Sequence, residues 1–208
     1  MFLVLDGPDG CGKSTQARLL VEALRAEGRV VQHLREPGGT PLGEALRDLL
    51  LTRREQGFEI AARAEVLLFF ASRCQLIEER VRPALARGET VVCERYVSST
   101  FAYQAQASGV GGELVLSIAR TVLGEAFPPP LTLILDLPAE EGLRRSEARE
   151  RADRIEARGL AYHVAVREGF LRYAALFPQQ TRVLAVAGRG VSEVAQLVRE
   201  ALREAEGR

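Results

Sequence analysis

The sequence predicts an α/β domain built around a parallel sheet, and three observations predict it. Five short apolar runs, at 2–5, 30–34, 90–93, 131–135 and 182–186, read as strands. Longer stretches of helical period alternate with them, the pattern of a parallel sheet with helical crossovers. The runs are apolar at almost every position, as strands covered on both faces are. With 208 residues and 47% hydrophobic content, the chain is long enough for one domain with a sizeable core.

In chain order, the strand at 2–5 runs into a loop and a helix over 13–27. The strand at 30–34 precedes helices over 42–53 and 61–86, and the strand at 90–93 precedes one over 112–124. Pro128-Pro129-Pro130 punctuates the connection to the strand at 131–135. Helices over 138–149 and 159–176 follow, then the last strand and a helix over 192–205. The prolines leave too little chain on either side for separate units, so a single domain spanning 1–208 is expected.

Composition narrows the function. Twenty-eight basic and twenty-eight acidic residues cancel, so no global field draws the chain to nucleic acid or an anionic membrane. Cys11, Cys74 and Cys93 are too few and too scattered for a disulfide framework or a zinc site. The first residues have no basic region and turn charged within six residues, which does not read as a signal peptide, and no run reaches the roughly 20 apolar residues of a membrane helix. A cytoplasmic location is expected. The chain has no Asn and a single Lys among its 28 basic residues, so arginine is its default cation.

That lysine sits in Gly7-Pro8-Asp9-Gly10-Cys11-Gly12-Lys13-Ser14, after the first strand and at the opening of a helix. This is the context in which a Gly-x4-Gly-Lys-Ser/Thr loop binds nucleotide phosphates. The glycines let successive backbone N–H groups turn inward, and the helix N-terminus adds partial positive charge. Lys13 is placed to bridge the terminal phosphates and the Ser14 hydroxyl to hold Mg²⁺, with Thr15 completing the loop. A planar guanidinium does not replace a compact ammonium there, which gives a lysine at this one position of an arginine-rich chain its meaning. Asp9 is a carboxylate among expected phosphates, an electrostatically unwelcome place that implies a local task.

A GTPase reads guanine with Asn-Lys-x-Asp, which a chain without Asn and without a second Lys cannot contain. A small kinase remains, and further motifs specify which. Arg35-Glu36-Pro37-Gly38-Gly39-Thr40, Phe69-Phe70-Ala71-Ser72-Arg73, and Glu94-Arg95-Tyr96 followed by Ser98-Ser99-Thr100 and Tyr103-Gln104 resemble bacterial thymidylate kinase. The segment 149–156, with Asp153-Arg154-Ile155-Glu156, resembles the lid of the same enzymes. The likeness runs from about residue 2 to 175.

The resemblance implies a phosphate-loop nucleotide-kinase fold with sheet order 2-3-1-4-5, a lid near 140–158, a homodimer, and transfer of the γ-phosphoryl of ATP, with Mg²⁺, to dTMP. It implies that Phe69 stacks on thymine, that Arg73, Thr100 and Gln104 meet the base, and that Tyr103 lies under the sugar. Pro37 joins the same substrate site. Arg95 and Arg47 hold the acceptor phosphate, Asp9 takes the sugar 3′-hydroxyl, and Glu94 acts near the metal. The family's usual residue at 94 is Asp, and one extra methylene suggests contact through water; Asp136, ending its strand, is the rival acid.

The stretch 140–158 holds six arginines and six acids, enough to stitch a solvated helix with i,i+4 pairs such as Glu141–Arg145. Arg149 breaks that pattern, with Arg145 four residues behind it, and the resemblance makes it the catalytic lid arginine, with Arg154 next. Two alternatives stay open: another nucleoside-monophosphate or deoxynucleoside kinase of this fold, and an ATP-binding switch without transfer.

Overall fold

A computed structural model describes residues 1–52, 58–147, 155 and 158–207. Its sheet has five parallel strands: β1 (Phe2–Asp6), β2 (Val31–Arg35), β3 (Thr90–Glu94), β4 (Leu131–Asp136) and β5 (Thr181–Ala185), in the order β2-β3-β1-β4-β5. The order is the one expected, and every strand lies within one residue of its predicted start. Val4 stands beside Cys93 on one side and Thr132 on the other. The three central strands are buried along nearly their whole length, whereas β2 and β5 alternate between buried and exposed positions. Full coverage on both faces thus holds for the middle of the sheet only.

Alternating side chains of the central strands feed two cores. Phe2, Val4, Val91 and Cys93 pack under α3 (Ala62–Leu76), α6 (Gly112–Leu123) and α8 (Leu160–Leu176). Leu3, Leu5, Val92 and Leu133 pack under α1 (Lys13–Ala26) and α9 (Val191–Glu206). Thr40 caps α2 (Pro41–Leu51), its Oγ1 accepting from the Gly43 N–H at 2.9 Å, with Pro41 at the first helical position. No described helix is long and apolar enough to cross a membrane.

Two helical segments depart from the reading. The run 61–86 is α3, then a π stretch at Ile77–Val81, then α4 (Arg82–Ala86). Pro83 has no N–H and its ring displaces the carbonyl four residues back, so the ladder upstream widens. A further helix unmarked by periodicity follows β3: α5 (Val97–Thr100) continues as a π-helix over Phe101–Ala107. Residues 97–105 are all buried, so this segment has no polar face to betray its period. It packs on α8 at Gly169, where a Cβ would come within 2.7 Å of the Ala102 Cα.

The lid region begins with α7 (Ala139–Glu147), which carries the expected Glu141–Arg145 pair. Residues 148–154, 156 and 157 lie outside the described residues, and Arg149 and Arg154 with them. At its start α7 touches the phosphate loop backbone to backbone: a Cβ on Gly142 would meet the Asp9 carbonyl oxygen at 2.4 Å.

Candidate active site

β1 ends at Asp6 and delivers the chain into the loop 7–12, where Gly7, Gly10 and Gly12 all have positive φ. Lys13, 8% exposed, folds back so that its ammonium donates to the Gly7 and Pro8 carbonyls, each at 2.8 Å, and lies 3.6 Å from the Cys11 Sγ. Asp6 is a support that the sequence reading did not single out. Fully buried, its carboxylate accepts from the Gly7 N–H and from the Ser98 and Ser99 hydroxyls at 2.6–2.9 Å, so it ties the loop to the segment after β3. Its only signal in sequence is an acid closing an apolar strand. Thr15 is exposed on α1 and does not reach the cleft described below.

Ser14, at the first turn of α1, donates its hydroxyl to Glu94 Oε2 at 2.5 Å, and the other oxygen of Glu94 meets His33 Nε2 at 2.9 Å. Burial pushes the Glu94 carboxyl up, but the bonds from His33 and Ser14 hold it below the usual carboxylate range. The Ser14 proton is committed to Glu94, so the oxygen's lone pairs remain for a cation. A hydroxyl and a carboxylate are also the hard oxygen donors Mg²⁺ prefers. These residues fit the cation the loop implies. Asp136 does not compete: Arg167 holds both its oxygens, at 2.7 and 2.9 Å, away from the cleft.

Arg95 is the one non-glycine of the described residues with positive φ, at +66°. A conformation that unfavourable, worth about 1–3 kcal/mol of strain, persists where the surroundings over-determine it. Here Arg95 Nη2 donates to Asp9 Oδ1 at 2.5 Å, Nη1 to the Ser99 hydroxyl at 3.2 Å, and the guanidinium lies 5.2 Å from the Tyr103 ring centroid. The Tyr103 hydroxyl donates to the second Asp9 oxygen at 2.6 Å. His163, buried on α8, has Nδ1 4.0 Å from that oxygen. Burial pushes the Asp9 carboxyl up, yet Arg95, Lys13 and the Tyr103 hydroxyl together bring it down to about 2. An acid inside a phosphate loop is stable because two cations and a phenol surround it.

Further along the same cleft, Phe69 and Arg73 line one face of α3, as their spacing of four implies. Arg73 is 1% exposed; Nε donates to Glu36 Oε2 at 2.6 Å and Nη2 to Thr100 Oγ1 at 3.1 Å, between the rings of Phe70 and Tyr96. Its Nη1 and the second oxygen of Glu36 have no protein hydrogen-bond partner. An unmade bond on a buried donor is costly, and Arg73 lines the cleft, so a ligand acceptor there would satisfy it. Gln104 donates to Glu65 Oε1 at 2.8 Å, and Arg47 to the Pro37 carbonyl at 2.9 Å; Gln104, Pro37 and Arg47 all line the cleft. Glu36 and Glu65, buried acids that hold the expected site residues in place, escape sequence reading because their partners lie 37 and 39 residues away.

Burial raises the Glu36 carboxyl to about 7 against the opposing pull of Arg73. The unfolded group titrates near 4.5, so the folded state holds the extra proton between the two values. That contribution to stability is complete below the lower value and is lost as pH rises through the upper one. The unfolding free energy is therefore expected to fall between about pH 4.5 and 7. Glu36→Gln, neutral throughout, is expected to flatten that fall in denaturant titrations; an equal slope in the variant would place its origin elsewhere.

One continuous cleft thus joins Gly12, Lys13 and Ser14 to Asp9 and Arg95, and these to Phe69, Arg73, Thr100 and Gln104. A protein-family model described as "Thymidylate kinase" matches residues 5–199. The thymidylate kinase of Chlamydia caviae is 44% identical over 185 residues, 88% of each chain. That of Ectopseudomonas mendocina is 45% identical over 194 residues, 93% of this chain and 90% of its own. Among solved structures, the thymidylate kinase of Ehrlichia chaffeensis superposes with a TM-score of 0.76 at 28% identity, over 98% of both chains.

Proposed function

The chain belongs to the thymidylate kinase family, an enzyme family that phosphorylates dTMP with ATP, and from that premise we propose how its residues divide the work. The observation that carries the proposal is the unbroken cleft from Lys13 to Arg73, with a phosphate-binding end and an end suited to a planar base.

ATP lies on Gly7–Ser14, its terminal phosphates among the loop amides and the Lys13 ammonium. Ser14 and Glu94 would hold Mg²⁺, which would supply neutralisation of phosphate charge. Phe69 stacks on thymine, a contact worth roughly 1–3 kcal/mol. Arg73 Nη1 donates to an acceptor on the base edge, with Thr100 and Gln104 beside it. Tyr103 supports the sugar and Asp9 accepts from its 3′-hydroxyl. Arg95 and Arg47 fix the acceptor phosphate in line with the γ-phosphorus, and Arg149, on sequence grounds, closes over the transferring group.

A phosphate-monoester oxygen is already anionic, so the reaction requires no strong general base. Positioning and charge neutralisation supply the rate. A coupled assay across dTMP, dUMP, dCMP, AMP and GMP tests the reading. The highest kcat/KM is expected with dTMP, and preference for a purine nucleotide would reject the base site as assigned.

A homodimer also belongs to this proposal. Leu67 on α3 and Leu114 and Val122 on α6 are exposed apolar side chains on two helices that meet where the Cys74 Sγ lies 4.0 Å from the Val122 carbonyl oxygen. Sedimentation equilibrium giving the mass of one chain at micromolar concentration would remove it. Three free cysteines fit a reducing, cytoplasmic setting.

A further inference from the structure

We propose that His33 is a positioning residue for phosphoryl transfer: it anchors one oxygen of Glu94 so that the other takes the Ser14 proton and leaves the Ser14 lone pairs facing the cation. The inference rests on Ser14 and Glu94 being the cation-side groups, and it adds what makes that pair work in this chain.

His33 stands on β2 in register with Val92, and Glu94 lies two residues further along β3. Positions two apart on a strand share a face, so the imidazole and the carboxylate rise from the same side of the sheet. The carboxylate spans two partners, with Oε1 at 2.9 Å from His33 Nε2 and Oε2 at 2.5 Å from the Ser14 hydroxyl. A side chain one methylene shorter reaches about 1.5 Å less far, too little to keep both contacts without moving a strand.

The polarity of the chain of bonds is determined. An ionised carboxylate only accepts, so Nε2 presents its N–H and Ser14 its O–H. A glutamate also has one more rotatable bond than an aspartate, and with a single anchor its carboxylate would leave the Ser14 hydroxyl free to turn. Arg35, the next β2 residue on that face, lies 3.9 Å from Glu44 and so leaves His33 to Glu94. Because β2 is an edge strand and the His33 side chain is partly exposed, replacing His33 opens no core.

The experiment measures Mn²⁺ binding to the enzyme·ADP complex by electron paramagnetic resonance, together with the Mg²⁺ dependence of the rate. His33→Phe is expected to weaken Mn²⁺ binding about tenfold and to raise the half-saturating Mg²⁺ concentration similarly, leaving the KM for dTMP within about twofold. His33→Gln, which keeps an N–H donor, is expected to recover most of the loss, a rescue that a purely structural role would not show. Glu94→Asp is expected to weaken binding in the parent and to add little in the His33→Phe background.

Parent-like Mn²⁺ binding in His33→Phe overturns the proposal, as does full additivity with Glu94→Asp. Ser14→Ala separates the two layers. Undiminished Mn²⁺ affinity in that variant removes the cation assignment itself. Weakened affinity there with none in His33→Phe removes only the positioning role. Should His33→Phe melt well below the parent, His33→Gln against Glu94→Asp carries the same comparison.

Discussion

Lys13→Ala is expected to lower dTMP phosphorylation by at least about a thousandfold while the chain stays folded. The ammonium is built into the cradle: the Gly7 and Pro8 carbonyls hold it at 2.8 Å, and the side chain is buried under the loop. It is thus held in a water-poor place, where a charge on a bound phosphate counts most. Lys13→Arg is expected to fail nearly as badly, because a planar five-donor group cannot occupy the space between two carbonyls and a phosphate chain. Steady-state kcat from a coupled assay, beside circular dichroism for the fold, checks both variants. Turnover within tenfold of the parent for Lys13→Ala would take the phosphates off this loop.

The second large effect is expected from Arg95→Ala, and it has two separable parts. Loss of the guanidinium removes the proposed clamp on the acceptor phosphate, so the KM for dTMP is expected to rise at least about a hundredfold. The same change strands the Asp9 carboxylate, buried and kept ionised by Arg95 more than by any other group. Breaking a buried pair by removing one partner costs about 3–5 kcal/mol. The low end applies, because the Arg95 side chain is 26% exposed and the Tyr103 hydroxyl stays on Asp9. Adding Asp9→Asn is expected to return much of the stability and none of the dTMP affinity. A variant that melts early yet keeps its KM would reduce Arg95 to a structural cation.

How far these sites can be read from sequence follows from how local their physics is. The central strands announce themselves because both their faces are covered and almost every position is apolar. The phosphate loop does so because its glycines, lysine and serine must sit at fixed spacing to turn amides inward. Phe69 and Arg73 share a helix face by their separation of four, although only resemblance distinguishes them from ordinary core.

What stays hidden depends on partners remote in the chain. Nothing local marks what Asp6, Glu36, Glu65 and His33 bind, and folding brings them to Ser98, Arg73, Gln104 and Glu94. The helix over 97–107 is hidden for another reason, since burial on all sides erases the alternation by which helices are recognised. Arg149 and Arg154 lie outside the described residues, so their roles rest on sequence alone.

The solitary lysine has a consequence for how this protein meets the chemistry around it. Its folded exterior is studded with guanidinium groups but offers no side-chain amine, since the one it has is enclosed beneath the nucleotide loop. Acyl donors, aldehydes and ligases that tag lysine therefore find no foothold on its surface. Only by entering the cradle, or by catching the chain unfolded, could such a reaction reach its target, and there the mark would coincide with loss of turnover.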